Sequence, residues 1–250
     1  MPRADKGPPR ILVSVATYNE RDNLPPLVAE VLERLPAAHV LVIDDNSPDG
    51  TGALADSLAA ADPRVCVLHR AGKLGLGTAI LAGMRYAMEH GYDYHVNMDA
   101  DFSHHPRYLP ALVAGMDRHD VMIGSRYVPG GGTVDWPWKR RLMSRGVNLL
   151  ARVLLRIPAR DCSGSYRCYR VAKLREAHLE RMVSRGYSFQ QEALYRCRAA
   201  GCRIGETPIV FADRRVGASK VSPREVARSL SVLLLLGIRT FFGFDRYVPR

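Results

Sequence analysis

An α/β fold, with a mostly parallel central sheet flanked by helices, is predicted by three observations. Short apolar runs alternate with stretches of helical spacing from residue 11 to residue 125. Each apolar run is closed by polar or turn-forming residues. The intervals between successive runs are those of βαβ units, in which each strand is followed by a crossover helix. A chain of 250 residues is long enough to bury a sizeable core, and 47% hydrophobic residues can fill it.

The elements follow in order. Residues 11–16 form an apolar run, and residues 24–35 have helical spacing opened by Pro25 and Pro26, where proline suits a first helical turn. Residues 40–43 form a second strand, closed by DDNSPDG, a concentrated turn signal. Residues 51–61 read as a helix, 65–68 as a strand and 78–90 as an amphipathic helix. Gly72–Thr78 imitates a phosphate loop but fits neither common glycine-rich signature, and reads as a tight turn. Residues 94–101, YHVNMDAD, are expected to be a buried strand, 106–116 a helix and 121–125 a further strand.

After Tyr127 the pattern changes. A Gly-rich loop, PGGGTVDWPW, leads into a basic helix over 139–156, followed by shorter, irregular elements. One domain over residues 8–225 is expected, with 11–127 facing a nucleotide and 128–225 shaping a second substrate. Residues 226–250 add an apolar C-terminal helix. Its uncharged run 229–238 lies between Arg228 and Arg239 and is too short to span a bilayer, which suits a membrane surface or a partner.

The net charge of +11 points to polyanionic partners, or to a basic solubility surface. Nucleic acid is not favoured, since no basic–aromatic recognition motif is visible. Five cysteines without a C-x-x-C pair argue for reduced thiols rather than a disulfide framework or zinc site. The polar, Pro-rich start lacks the apolar centre of a leader and reads as a short disordered arm, so a cytoplasmic location is expected.

Chemistry-bearing residues gather where strands end. Asp99 and Asp101 are expected on one face of their strand, with Ala100 opposite. Such a pair suits Mg²⁺ or Mn²⁺, which takes oxygen ligands and shares them with substrate phosphates. Alone, an Asp-x-Asp is a weak signal and is more often a solvated turn. It has company, however: Ala16–Glu20 follows the first strand, Asp44–Asp45 the second, and Gly124–Tyr127 the strand at 121–125. In a parallel sheet all these ends line one crevice, and carboxylates beside an aromatic make a nucleotide site. His104 and His105 read as loop residues. Trp136 and Trp138 could gate a lipid or simply pack, and Asp161–Gly164 forms either an acceptor-side turn or a plain one. Glu192 is a weaker candidate for sugar hydroxyls.

The segments TYNE, DDNSPDGT, GLGTA, MDADFSHHP, GSRYVPGG, SRGVN, GSYRCYR and VGASK, taken as a set over residues 11–225, resemble the polyprenol (dolichol) phosphate mannose synthases of glycosyltransferase family 2. The resemblance implies the GT-A fold and transfer of mannose from GDP-mannose to a polyprenyl phosphate. It implies that Ala16, Tyr18, Glu20, Ile43 and Asp45 hold the nucleoside. Asp99, Ala100 and Asp101 would hold the ribose-diphosphate and the metal, with Ser103 as a further metal ligand. Arg126 and Arg140 would bind the acceptor phosphate, while Arg214 and Lys220 close over the diphosphate. Asp101, Arg126 and Arg140 would carry the catalysis. Ala16 departs from the proline that relatives often have, and Ser103 stands where some have Gln. Many relatives add transmembrane helices, so a membrane surface or small membrane subunit is an expected partner at the cytoplasmic face. UDP-glucose is the alternative donor, and a non-catalytic nucleotide-sugar-binding module the alternative function.

Overall fold

The computed structural model describes residues 7–182, 184, 186, 188–212 and 223–243. Arg214 and Lys220, and the first six residues of the expected N-terminal arm, lie outside them. The first half alternates as expected: β1 (Ile11–Thr17), α1 (Leu24–Arg34), β2 (Ala38–Asp44), α2 (Thr51–Ala61), β3 (Val65–His69), α3 (Leu76–Glu89), β4 (Tyr94–Asp99), α4 (Leu109–Ala114) and β5 (Val121–Ser125). The second half holds β6 (Gly132–Val134), α5 (Trp138–Leu155), β7 (Arg167–Arg170), α6 (Val171–Glu176), α7 (Phe189–Ala199), β8 (Ile204–Pro208), β9 (Val210–Ala212) and α8 (Pro223–Phe241).

The main sheet has the order β3-β2-β1-β4-β7-β5-β8, and β6 pairs with β9 separately. All of its pairings are parallel except those of β7, which runs antiparallel to both β4 and β5. The chain winds outward from β1 to β3 and then returns to place β4 on the other side of β1. That reversal opens a crevice at the carboxyl ends of β1 and β4, where open α/β sheets bind ligands. The register sets Ala16 opposite both Ile43 and Asp99, so three of the predicted site residues share one row.

Burial explains the layers. Ile11, Val13 and Val15 pack with the buried stripe Leu24, Leu27, Val28 and Val31 of α1, while Leu12, Leu41 and Ile43 pack on the other face with Ala79 of α3. α3 lies close to the sheet because Gly83 leaves room: a Cβ there would sit 2.8 Å from the Ser14 hydroxyl and 3.0 Å from His95. α5 and α8 pack together outside this core, and Ala151, Leu155, Leu233 and Leu236 join the cluster under them. Among the described residues no helix is long and apolar enough to cross a membrane. All five cysteines are free thiols.

Two readings of the sequence change. The strand at 94–101 stops at Asp99, and the chain bends through Ala100–Ser103 with Phe102 at φ 60°. Asp99 and Asp101 are therefore brought together by a turn and not by strand pleat. Beyond residue 156, where shorter, irregular elements and no further sheet strand are expected before the C-terminal helix, β7 enters the middle of the sheet. Its sequence, RCYR, is short and half arginine, so it carries no apolar-run signal.

Candidate active site

At the carboxyl end of β2, Asp44 is buried and accepts hydrogen bonds from the Thr17 hydroxyl (3.0 Å), the Ser47 N–H (3.0 Å) and the Ser47 hydroxyl (2.6 Å). It fastens the loop after β2 to the end of β1. Asp45 turns the other way, where Arg70 Nη1 stands 3.1 Å from its carboxylate. Burial pushes the Asp45 carboxyl above its ordinary range, and Arg70 opposes this only in part. Beside it Tyr18 is half exposed, with Lys73 Nζ 4.2 Å from its ring centre. Glu20 accepts from Asn23 Nδ2 (2.8 Å), and its N–H donates to the Thr51 hydroxyl (3.0 Å). Ala16 is half-buried at the end of β1. The Ile43 side chain is in the core, so only its main chain reaches the crevice edge.

The acidic pair is held by neighbouring donors. The Ser165 hydroxyl donates to Asp99 Oδ1 (3.1 Å), and Ser103 donates to Asp101 Oδ1 through both its N–H (3.1 Å) and its hydroxyl (2.6 Å). Ala100 between them is buried. His104 is no loose loop residue: it is buried, stacks on Tyr166 with ring centres 4.9 Å apart, and accepts the Asp99 N–H at Nδ1 (3.1 Å). Burial lowers its pKa, against the pull of Asp99 and Asp101, which keeps the ring neutral and able to accept.

These oxygens suit a hard cation. Among the described residues no group of three or more His, Cys, Asp and Glu converges, so these residues alone do not form a closed metal cage. Two carboxylates with a hydroxyl alongside match Mg²⁺ or Mn²⁺, which draws its remaining ligands from substrate phosphates and water.

On the other side of the crevice Arg126 follows β5. It is buried and makes a fork on Asp161, Nε to Oδ2 and Nη2 to Oδ1, both 2.7 Å, with a third bond to the Ser163 hydroxyl (2.9 Å). Burial alone would raise the Asp161 carboxyl, but the Arg126 guanidinium outweighs it and holds the group below the usual carboxylate range. Arg140, on the first turn of α5, lies with its guanidinium carbon 3.9 Å from the centre of the Trp136 ring, and Arg126 lies 5.4 Å from the same centre. The structure thus brings the two predicted phosphate-binding arginines to one buried indole. Trp136 packs between them, whereas Trp138 is exposed.

The sequence placed Asp161 only in a turn, either acceptor-side or plain, and gave Ser165 no role, because their positions depend on β7. As an antiparallel strand, β7 begins at the edge where its parallel neighbours end. The turn before it therefore meets both Asp99 and Arg126. Arg167 and Asn148 fix that turn: Arg167 Nη2 donates to the Cys162 carbonyl (2.8 Å), and Asn148 Oδ1 accepts the N–H groups of Cys162 (2.7 Å) and Ser163 (3.0 Å). Glu192 is fully buried and accepts from the Ser184 N–H (2.8 Å) and from Arg196, so it works within the core.

Residues 12–177 match the family model described as glycosyl transferase family 2. The chain belongs to that family. Among curated relatives of this glycosyltransferase, a polyprenol monophosphomannose synthase of Mycolicibacterium smegmatis is 44% identical over 96% of this chain and 92% of its own length. An undecaprenyl-phosphate mannosyltransferase of Micrococcus luteus is 46% identical over 85% of this chain and 88% of its own. Solved structures share the fold at low identity. S. aureus TarS, in complex with UDP-GlcNAc, has a TM-score of 0.61 at 18% identity, over 91% of this chain and 66% of that one. Glucosyl-3-phosphoglycerate synthase of Mycobacterium tuberculosis, in complex with Mn²⁺, UDP and phosphoglyceric acid, has a TM-score of 0.58 at 16% identity, over 97% and 80%. The fold is that of the GT-A glycosyltransferases, as the sequence resemblance implies.

Proposed function

We propose that this glycosyltransferase moves mannose from GDP-mannose to the phosphate of a polyprenyl phosphate, with inversion at the sugar carbon and with Mg²⁺ or Mn²⁺. The observation that carries the reading is the convergence, on one sheet edge, of the Asp99/Asp101 pair with the Arg126/Arg140 pair. The names of the two mannosyl-transferring relatives narrow the substrate class.

Tyr18, Glu20 and Asp45, at the ends of β1 and β2, hold the nucleoside, with the main chain at Ala16 and Ile43 beneath it. Asp99 and Asp101, spaced by Ala100, would hold the cation, which when bound would supply positive charge for the diphosphate. Ser103 and Ser165 orient those carboxylates. Arg214 and Lys220 complete the diphosphate side. Arg126 and Arg140 position the acceptor phosphate, whose second pKa of about 6 leaves it mostly dianionic at neutral pH. An oxygen of that phosphate attacks the anomeric carbon while the bond from that carbon to the diphosphate breaks, and the departing diphosphate takes the electron pair. No proton has to be removed, so the chain needs clamps and not a strong base. Asp161 holds the Arg126 fork ready, which limits the reorganisation needed when charge develops.

The exposed apolar side chains Leu234, Leu235, Ile238 and Phe241 of α8, and Trp138 and Leu142 of α5, support work at the cytoplasmic face of a membrane, on the lipid surface or against a small membrane subunit. The test is transfer of labelled sugar from GDP-mannose, and in parallel UDP-glucose, into organic-extractable polyprenyl phosphate with metal or with EDTA. Metal-dependent labelling from GDP-mannose alone is expected. Labelling from UDP-glucose alone overturns the donor, and nucleotide binding without lipid labelling overturns the acceptor.

A further inference from the structure

Between α5 and the loop that follows β5, with Arg126 in its lining, is a cavity of about 550 Å³. Arg126 and Arg160 line it together with Arg145, Asn148, Leu149 and Arg152 of α5. The spacing of the α5 residues, i, i+3, i+4 and i+7, puts them on one helix face. α5 itself carries Lys139, Arg140, Arg141, Arg145 and Arg152 and no acidic residue. Arg126 is neutralised by Asp161. The acidic group beside Arg160 is Glu206, and its carboxylate accepts the backbone N–H groups of Arg160 (2.7 Å) and Asp161 (2.9 Å). Among the described residues no carboxylate forms an ion pair with the guanidinium of Arg145, Arg152 or Arg160.

We infer that this cavity binds the phosphate headgroup of an anionic membrane phospholipid, as a site separate from that of the acceptor phosphate. Three guanidinium forks facing one concave space match a phosphodiester, whose oxygens accept paired N–H bonds. The volume lies within the roughly 300–1,000 Å³ that small-molecule sites occupy. Arg140 does not line the cavity, so it lacks half of the arginine pair assigned to the acceptor. The same helix supplies the surroundings an acyl chain requires: Leu142, Leu149 and Val153 are 63%, 58% and 67% exposed. A phospholipid seated there has its headgroup among arginines and its chains along an apolar helix surface. The inference rests on the reading that the protein works at a bilayer.

The test is co-sedimentation of the full chain with phosphatidylcholine vesicles and with vesicles in which part of that lipid is replaced by phosphatidylglycerol. The triple variant Arg145→Gln/Arg152→Gln/Arg160→Gln should partition onto the anionic vesicles roughly 100-fold more weakly than the parent, each cation near an anionic leaflet being worth about fivefold. Its weaker binding to phosphatidylcholine, and its KM for a water-soluble short-chain polyprenyl phosphate, should stay within about twofold of the parent. A control variant, Arg34→Gln/Arg85→Gln/Arg118→Gln, removes exposed charge elsewhere and should lose far less. Equal loss in the control overturns the site and leaves only diffuse charge attraction. A KM increase of tenfold or more in the cavity variant overturns its separation from the acceptor site. If the parent binds neither vesicle, the bilayer reading and this inference fail together, while binding to both with no effect of the cavity variant sinks the inference alone. A thermal melt matching the parent's confirms that these three exposed substitutions leave the fold intact.

Discussion

The two sides of the crevice handle charge in opposite ways. On the donor side, the hydrogen bonds that described residues make to the Asp99 and Asp101 carboxylates come from serine hydroxyls and a backbone N–H, neutral groups that orient a carboxylate. On the acceptor side, Arg126 is fastened by a full carboxylate, buried with it. On the proposed reading, the contrast follows from what each side receives. A carboxylate pair that keeps its charge attracts a cation. An arginine buried without an anion carries a large desolvation cost, so it comes with Asp161 and reaches a phosphate from a fixed position.

The comparison can be broken most severely at Asp161. Asp161→Asn leaves the Arg126 charge buried without its counter-ion and should lower unfolding stability by about 3–5 kcal/mol in denaturant titration. Adding Arg126→Met should recover much of that stability while leaving transfer defective. On the donor side, Asp101→Asn should leave stability near the parent value but slow labelled-lipid formation by roughly 100-fold or more, as several kcal/mol of charge stabilisation are lost; EDTA should reproduce the defect in the parent. A smaller effect is expected at Ser165→Ala. Losing one hydrogen bond to a charged group, worth about 1.5–3 kcal/mol at most, should raise the metal concentration needed for half-maximal rate while excess metal restores the rate.

The effect that is smallest at neutral pH, and grows only with acid, sharpens the contrast with a group away from both charged sites. His95 is fully buried on Ser14 (2.8 Å), and burial lowers its pKa to about 3. In the unfolded chain it titrates near the ordinary value of about 6.5. Between those values the unfolded state binds more protons, so stability is complete above about pH 6.5 and falls as the pH drops, by at most about 1.4 kcal/mol per unit. His95→Gln should flatten that slope in melts between pH 7 and pH 4, measured at roughly those limits. An unchanged slope would assign the acid sensitivity to other groups.

The same two sides differ in how far they could be read from the sequence. Donor-side positions lie at the ends of β1, β2 and β4, each an apolar run followed at once by its functional residues, so local pattern and sheet topology were enough to align them. The detail that failed was also local: Asp101 belongs to a turn at Phe102 and not to the strand, since nothing in the letters marks where pleating stops. Acceptor-side positions depend on β7, whose RCYR sequence is disguised by its own arginines. Arg167 is fully buried there, spending its guanidinium on the carbonyls of Cys162 and Gln190, a use that composition does not reveal. Asp161 and Ser165 were visible as a turn, but their partners lie 35 and 66 residues away along the chain.

That turn has a mechanical consequence. Asp161 grips Arg126 and Ser165 grips Asp99, so one short stretch of backbone acts as a spacer bar between the two charged sites. In the proposed reaction, the reach from incoming oxygen to departing diphosphate would be set by peptide geometry, clamped beneath by Arg167 and alongside by Asn148. Lengthening the bar by one residue would remove no functional group, yet it would put the two ends of the reaction out of step.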